Sequence, residues 1–276
     1  MANSRFPPHA RKRFSQNFLH DPAVIQKIVA AIAPQSSDHM LEIGPGRGAI
    51  TQKLLAHLDQ LTAIEIDRDL ASALSSAEQK LNVIQNDILN IQLDDLDDNQ
   101  TQWRVVGNLP YNVSSPILFH LFQQIDVVKD IYIMLQKEVG DRLAAAPGSK
   151  TYGRLSVMAQ SYVSVEKLFD IGPGAFQPAP KVKSTFLQLT PLPESLLSKE
   201  HRLLFDQIVR FAFQQRRKTL VNALANQIFP NMHDQPLEKA FAKNMLQQCG
   251  LDEQCRAEQL SVNDFAQLAH QLRQSC

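Results

Sequence analysis

Cysteine is scarce in this chain and never paired. Cys249, Cys255 and Cys276 are its only three, with no CxxC spacing, which argues against a disulfide framework or a zinc site and fits a reducing compartment. They read as structural residues. No apolar run approaches the ~18 residues of a membrane span, and the N-terminus lacks the apolar segment of a signal peptide. These absences predict a soluble, cytoplasmic protein with no membrane partner. Excess charge is missing too, since Lys plus Arg and Asp plus Glu number 28 each, so global charge points to neither nucleic acid nor membrane. Its distribution says more. Before Asp21 the chain carries Arg5, Arg11, Lys12 and Arg13 without an acid, whereas Asp94, Asp95, Asp97 and Asp98 form an acidic run. No internal repeat is present.

What is present is organised around Leu41-Glu42-Ile43-Gly44-Pro45-Gly46-Arg47-Gly48-Ala49-Ile50-Thr51. An apolar strand runs there into a glycine-rich turn and then into a helical pattern. Glycines at spacing two let the backbone turn sharply and approach a ligand, and the helix that follows offers free N–H groups at its start. Such a turn suits a nucleotide or nucleoside, but Gly44-x-Gly46-x-x-Ala49 also fits the dinucleotide fingerprint, and a plain tight turn in an α/β sheet needs glycine as well.

A chain of 276 residues predicts two domains. Residues 1–20 read as an extended basic arm, and Asp21-Pro22 as a capped helix start followed by Val24, Ile25, Ile28, Val29 and Ile32 at helical spacing. Strands are expected at Met40–Ile43, Leu61–Ile66, from Val83, at Trp103–Gly107, Ile131–Leu135, Val163–Phe169 and Thr185–Leu189. Helical patterns fall at Ile50–Leu58, Leu70–Leu81, after a Ser114 or Ser115 cap, at Glu138–Ala146 and at Arg154–Ser161. Alternating βα units predict a parallel sheet covered by helices on both faces. The stretch Gly172–Val182 is too rich in Pro and Gly for regular structure and reads as a rigid loop with an exposed Phe176. Pro191–Ser198 reads as a linker, with a small helical domain over 199–276. The first domain then spans 21–192.

Two features at expected strand ends carry chemistry. Glu65 lies 21 residues past Gly44, where doubly wound folds place an acid to accept from ribose hydroxyls. Asn108-Leu109-Pro110-Tyr111 follows the Trp103 strand. The amine of adenine is a poor nucleophile because its lone pair is delocalised into the ring, so a transferase must offer acceptors to its N–H groups. The Asn108 side-chain oxygen and Leu109 carbonyl suit that task, Pro110 holds the turn rigid, and Tyr111 stacks on a base. The same tetrapeptide also fits a helix start with Asn as cap and Tyr in the core.

Arg13–Leu19, Glu42–Gly48, Glu65-Ile66-Asp67, Asp87, Asn108–Tyr111 and Phe176–Ser184, in that order, resemble the ribosomal RNA adenine N6,N6-dimethyltransferase family across nearly the whole chain. The resemblance implies a Rossmann-like class I methyltransferase with a mostly parallel seven-stranded sheet and a small all-α C-terminal domain. It further implies that S-adenosylmethionine is held by Asn17 and Leu19, by Gly44 and Gly46 at the turn, by Glu65 on the ribose, by Asp87 on the adenine amine and by Asn108 near the methionine end. Ile66 and Ile88 sandwich the adenine of that cofactor. Asn108, Leu109, Pro110, Tyr111 and Phe176 make the catalytic site, Phe176 joining Tyr111 in stacking the target base. Ser15 stands where the family usually has Gly. Phe213–Leu220 resembles the small-subunit enzymes rather than those acting on the large subunit.

The implied reaction dimethylates N6 of two adjacent adenosines in a loop near the 3′ end of small-subunit rRNA, within the immature subunit, by a monomer that needs no metal. An unpaired target follows from the need to unstack the adenosine. Phosphate-seeking Arg11, Lys12 and Arg13 on the arm and Arg216, Arg217 and Lys218 in the helical domain are the RNA contacts expected. Two alternatives stay open on sequence alone: an NAD-dependent oxidoreductase using the same turn, and an assembly factor that binds RNA without catalysis.

Overall fold

A computed structural model describes residues 16–76, 79–96, 102–229 and 235–274. The chain divides into two compact units, Met1–Gly140 with Ser164–Pro191, and Asp141–Val163 with Leu192–Cys276. Cys249 and Cys255 are free thiols, and Cys276 lies outside the described residues.

The first unit is built on a seven-stranded sheet. Its strands are β2 (Met40–Ile43), β3 (Leu61–Glu65), β4 (Leu81–Gln85), β5 (Trp103–Asn108), β6 (Val128–Gln136), β7 (Val163–Ile171) and β9 (Ser184–Pro191), in the order β4-β3-β2-β5-β6-β9-β7. The neighbours from β4 to β6 run parallel, and β9 runs antiparallel to β6. β2 and β3 are buried along their whole length, as continuous apolar strands covered on both faces must be. The chain reverses its progress across the sheet between β2 and β5. Ligands of such sheets bind in the crevice outside the strand ends at that switch point.

Two short strands form a separate ribbon: β1 (Phe18–Leu19) pairs antiparallel with β8 (Phe176–Gln177). Helix α1 (Pro22–Ile32) starts where the sequence predicts, with Asp21 Oδ1 accepting from the Ala23 and Val24 N–H groups and Pro22 at its first turn. Its buried face is Ile25, Ile28, Val29 and Ile32. Arg104 on β5 makes a buried network that sequence periodicity does not reveal. Its guanidinium bonds both Asp130 oxygens, Asp38 and the Ile32 carbonyl, so α1 is tied by its C-terminal end to two strands.

Three local expectations are corrected. Helix α3 (Arg68–Ser75) stops short of Leu81, where β4 begins, because the Ser75 and Ser76 hydroxyls bond the Ala71 and Ala73 carbonyls and compete with helix continuation. Helix α4 (Ser114–Gln123) has no side-chain cap; Ser114 is already helical and its Oγ donates to the Tyr111 carbonyl at 3.4 Å. The Pro-rich stretch is partly regular, with a 3₁₀ turn at Pro173–Ala175 leading into β8.

The second unit is helical among its described residues: α5 (Arg154–Gln160), α6 (Lys199–Gln214), α7 (Leu220–Leu224), α8 (Lys239–Gln248) and α9 (Val262–Gln274). Phe205, Ile208, Leu220, Leu246, Phe265 and Leu268 are fully buried in it. It also takes in Asp141–Val163, a segment that the sequence reading assigns to the first domain. The reason is Tyr152, fully buried with its hydroxyl donating to the Leu260 carbonyl at 2.9 Å.

Candidate functional site

The glycine turn after β2 folds back on itself. Gly44, Gly46 and Gly48 have φ of +67°, +60° and +76°, the left-handed region that side chains disfavour. The Gly44 N–H donates to the Ile64 carbonyl at 2.9 Å, that of Gly48 to the Pro45 carbonyl at 2.9 Å, and that of Gly46 to Glu65 Oε2 at 3.0 Å. Helix α2 (Thr51–Leu55) begins only after these residues. The three glycine N–H groups of the turn are thus engaged, and a carboxylate stands beside them. A dinucleotide pyrophosphate needs backbone donors and would meet that negative charge, which disfavours the oxidoreductase alternative.

Gly46 also lacks a side chain for a packing reason, since a Cβ there would lie 3.2 Å from the Phe18 ring. Arg47 packs over that ring, its guanidinium carbon 4.5 Å from the centroid. The arm segment 16–19 is thereby held over the turn, with Gln16 Nε2 donating to Asp67 Oδ2 at 3.3 Å.

A cavity of about 350 Å³ opens at the switch point, lined by 16–19, the turn, Glu65, Ile66, 86–89 and 108–113. Asn17, Leu19, Gly44, Gly46, Glu65, Ile66, Asp87, Ile88, Asn108, Leu109, Pro110 and Tyr111 all line it. β2 to β5 end side by side at that edge and the arm lies over it beside the β1–β8 ribbon, so residues 91 positions apart meet there. Indeed Asn108 Nδ2 donates to the Asn17 carbonyl across that separation at 3.1 Å, which leaves Oδ1 as the acceptor of that side chain.

Glu65 is 4% exposed and uses its second oxygen to accept from the Asp67 N–H at 2.9 Å. Burial pushes its pKa up, and the two backbone donors oppose the rise. Glu42 is a residue that sequence reasoning missed. It is 3% exposed, lines the same cavity, and its Oε2 has no hydrogen-bond partner. Burial pushes its pKa up to about 7, Thr51 pulling it down and the Glu65 charge adding to the rise. Its position just before Gly44 was the available signal. Ile66 and Leu89, 45% and 37% exposed, put apolar surface at the cavity, whereas Ile88 is 4% exposed.

On the other side Leu109 is buried, with its N–H on the Met134 carbonyl at 3.3 Å. The half-buried Tyr111 hydroxyl meets Ser184 Oγ at 2.7 Å. Its pKa is raised by burial, with Ser184 opposing.

Phe176 requires correction. It is 3% exposed, belongs to the core cluster with Leu19, Ala175 and Phe186, and does not line the cavity. Pairing of β8 with β1 turns its ring inward. Arg11, Lys12, Arg13 and Ser15 lie outside the described residues. Arg216, Arg217 and Lys218 are exposed in the second unit. There Arg216 donates to the Tyr152 carbonyl at 3.0 Å and lies 3.7 Å from Glu258, so much of its donor capacity is used internally. Among the described residues no three or more His, Cys, Asp or Glu form a group fit to hold a metal ion, and no helix is long and apolar enough to cross a membrane.

The family model for ribosomal RNA adenine dimethylase matches residues 8–274. The chain belongs to that family. Within it, a Hahella chejuensis protein named ribosomal RNA small subunit methyltransferase A is 45% identical over 97% of this chain and 94% of its own length. A Xylella fastidiosa protein of the same name is 46% identical over 98% of both. A crystal structure of a Plasmodium falciparum dimethyladenosine transferase superposes with a TM-score of 0.77 at 28% identity, covering 91% of this chain and 95% of that one. Membership makes this adenine dimethylase relative a methyltransferase, with the mostly parallel seven-stranded sheet of the class I fold.

Proposed function

We propose that the protein dimethylates N6 of two adjacent adenosines in a loop near the 3′ end of small-subunit rRNA, using S-adenosylmethionine, during assembly of the small ribosomal subunit. One observation carries this reading: a single cavity joins an acid-lined glycine turn to the Asn108–Tyr111 turn. The residues fit the cofactor. Buried Glu42 with its unpartnered Oε2 and buried Glu65 favour a cationic ligand, and exposed Ile66 and Leu89 favour an apolar ring face.

Bound, the cofactor supplies a methyl carbon already activated by its sulfonium. What remains for the protein is alignment. Asn108, fixed through its amide nitrogen by Asn17, presents Oδ1 to an N6 hydrogen and sharpens the lone pair of that amine. The Leu109 carbonyl takes the second hydrogen. Tyr111 stacks on the unstacked base. Glu65 and the glycine turn would hold the cofactor, whose sulfonium would give up the methyl carbon and keep the S–C electron pair, while N6 would shed one proton to solvent. Arg217 and Lys218 in the second unit, with the arm cations, supply phosphate contacts.

The test is methyl transfer from labelled cofactor to immature small subunits, with mass spectrometry of the modified fragment. Two dimethyladenosines in one small-subunit loop are expected. Label confined to the large subunit, or none, would overturn the reading.

A further inference from the structure

The Tyr111 hydroxyl is anchored on a residue to which neither motif spacing nor family resemblance gave a role. Ser184 is fully buried at the first position of β9. Its backbone is fixed by the sheet, in register with Gln136 of β6, while the Lys137 N–H donates to the Lys183 carbonyl at 2.9 Å. The next residue, Thr185, is likewise buried and bonds the Phe169 carbonyl at 3.3 Å. Ser184 Oγ is therefore a fixed point. Tyr111 lies in the turn between β5 and α4, and β6 separates β5 from β9, so the bond ties that turn to a strand two places away in the sheet. The tyrosine hydroxyl is what makes the far end of the side chain a hydrogen bond. At the near end the Tyr111 carbonyl accepts from Ser114 Oγ. The ring is thus anchored through its hydroxyl, and the backbone that carries it is tethered separately.

We propose that Ser184 is a positioning residue for the methyl transfer, locking the Tyr111 ring in the orientation on which the target adenine stacks. The inference rests on the reading of Tyr111 as the base platform. Without the bond the ring still occupies its place but rotates about its side-chain torsions, and the adenine N6 is then presented over a spread of angles. In-line transfer tolerates little such spread. The loss therefore falls on turnover, and cofactor binding at the glycine turn is spared.

Steady-state methyl transfer to immature small subunits by full-length Ser184→Ala, Tyr111→Phe, the double variant and Tyr111→Ala tests this, assayed well below each melting temperature. Ser184→Ala lowers kcat about three- to tenfold, the worth of one net hydrogen bond, with KM for the cofactor unchanged. Tyr111→Phe lowers it equally, and the double variant falls no further, because either change breaks the same bond. Wild-type kcat in Ser184→Ala, or a double variant whose loss is the product of the single losses, overturns the inference. A Ser184 that merely stabilises the fold lowers the melting temperature and leaves kcat intact, which also overturns it. Tyr111→Ala separates the two ideas: an active Tyr111→Ala removes the platform itself, whereas an inactive one beside fully active Ser184→Ala and Tyr111→Phe leaves the platform and removes only the anchor.

Discussion

Asn108 and the two buried glutamates divide the work of the site by charge. Asn108 is neutral and is oriented by its bond to the Asn17 carbonyl. Asn108→Ala is expected to abolish methyl transfer while RNA binding by filter retention stays near wild type; near-normal turnover would refute its role. Glu65 joins the Gly46 N–H of the turn to the Asp67 N–H that follows β3. Its replacement by Ala is expected to weaken cofactor affinity by about 1–3 kcal/mol, the cost of leaving buried partners unpaired; titration calorimetry reads it directly. Glu42 adds a pH dependence. Its pKa is raised to about 7 in the folded protein, so the fold holds its proton more tightly than the unfolded chain does. That contribution is complete below the ordinary carboxyl pKa and is lost as pH rises through about 7. Cofactor-free Glu42→Gln is therefore expected to melt near wild type at pH 5 and several degrees above it at pH 8. An equal offset at both values would sink the assignment.

At the scale of elements, the β1–β8 ribbon joins two stretches that the sequence offers separately. Phe18 lies on Gly46 and Leu19 pairs with Phe176, so the arm and the Pro-rich segment are one structural feature. Phe176→Ala should behave as a core truncation and cost about 3–5 kcal/mol in urea unfolding. A stable Phe176→Ala protein with a specific loss of base binding would restore the stacking role expected from resemblance. The parallel strands were legible from alternation of apolar runs with helical patterns, and Asp21-Pro22 marked its helix correctly. The β1–β8 pairing was not legible, because two residues per strand leave no periodicity. Nor was Ser184, whose partner lies 73 positions away.

For the molecule as a whole, the first unit carries the cavity and the second carries exposed cations. Arg217→Glu with Lys218→Glu is expected to weaken binding to small-subunit RNA and to flatten its dependence on salt, since each lost phosphate contact removes nearly one counterion released. Cofactor affinity should not change. An unaltered salt slope would place RNA contact elsewhere. The second unit also shows how packing redraws a boundary. Asp141–Val163 precedes the last strands in sequence but buries Tyr152 among the helices.

The sequence by itself determined the class of sheet, the turn at Gly44–Gly48, the acid at Glu65 and the Asn108–Tyr111 turn, because strand periodicity, left-handed glycines and strand-end chemistry are local properties. Tertiary structure decided which donors remained free, which aromatic faced the cavity and which buried group anchored it. Those outcomes depend on partners far apart in the chain: Glu65 taking the Gly46 N–H, β8 turning Phe176 into the core, and Ser184 meeting Tyr111 across a strand. Register and burial set them, and neither is written in any single stretch of residues.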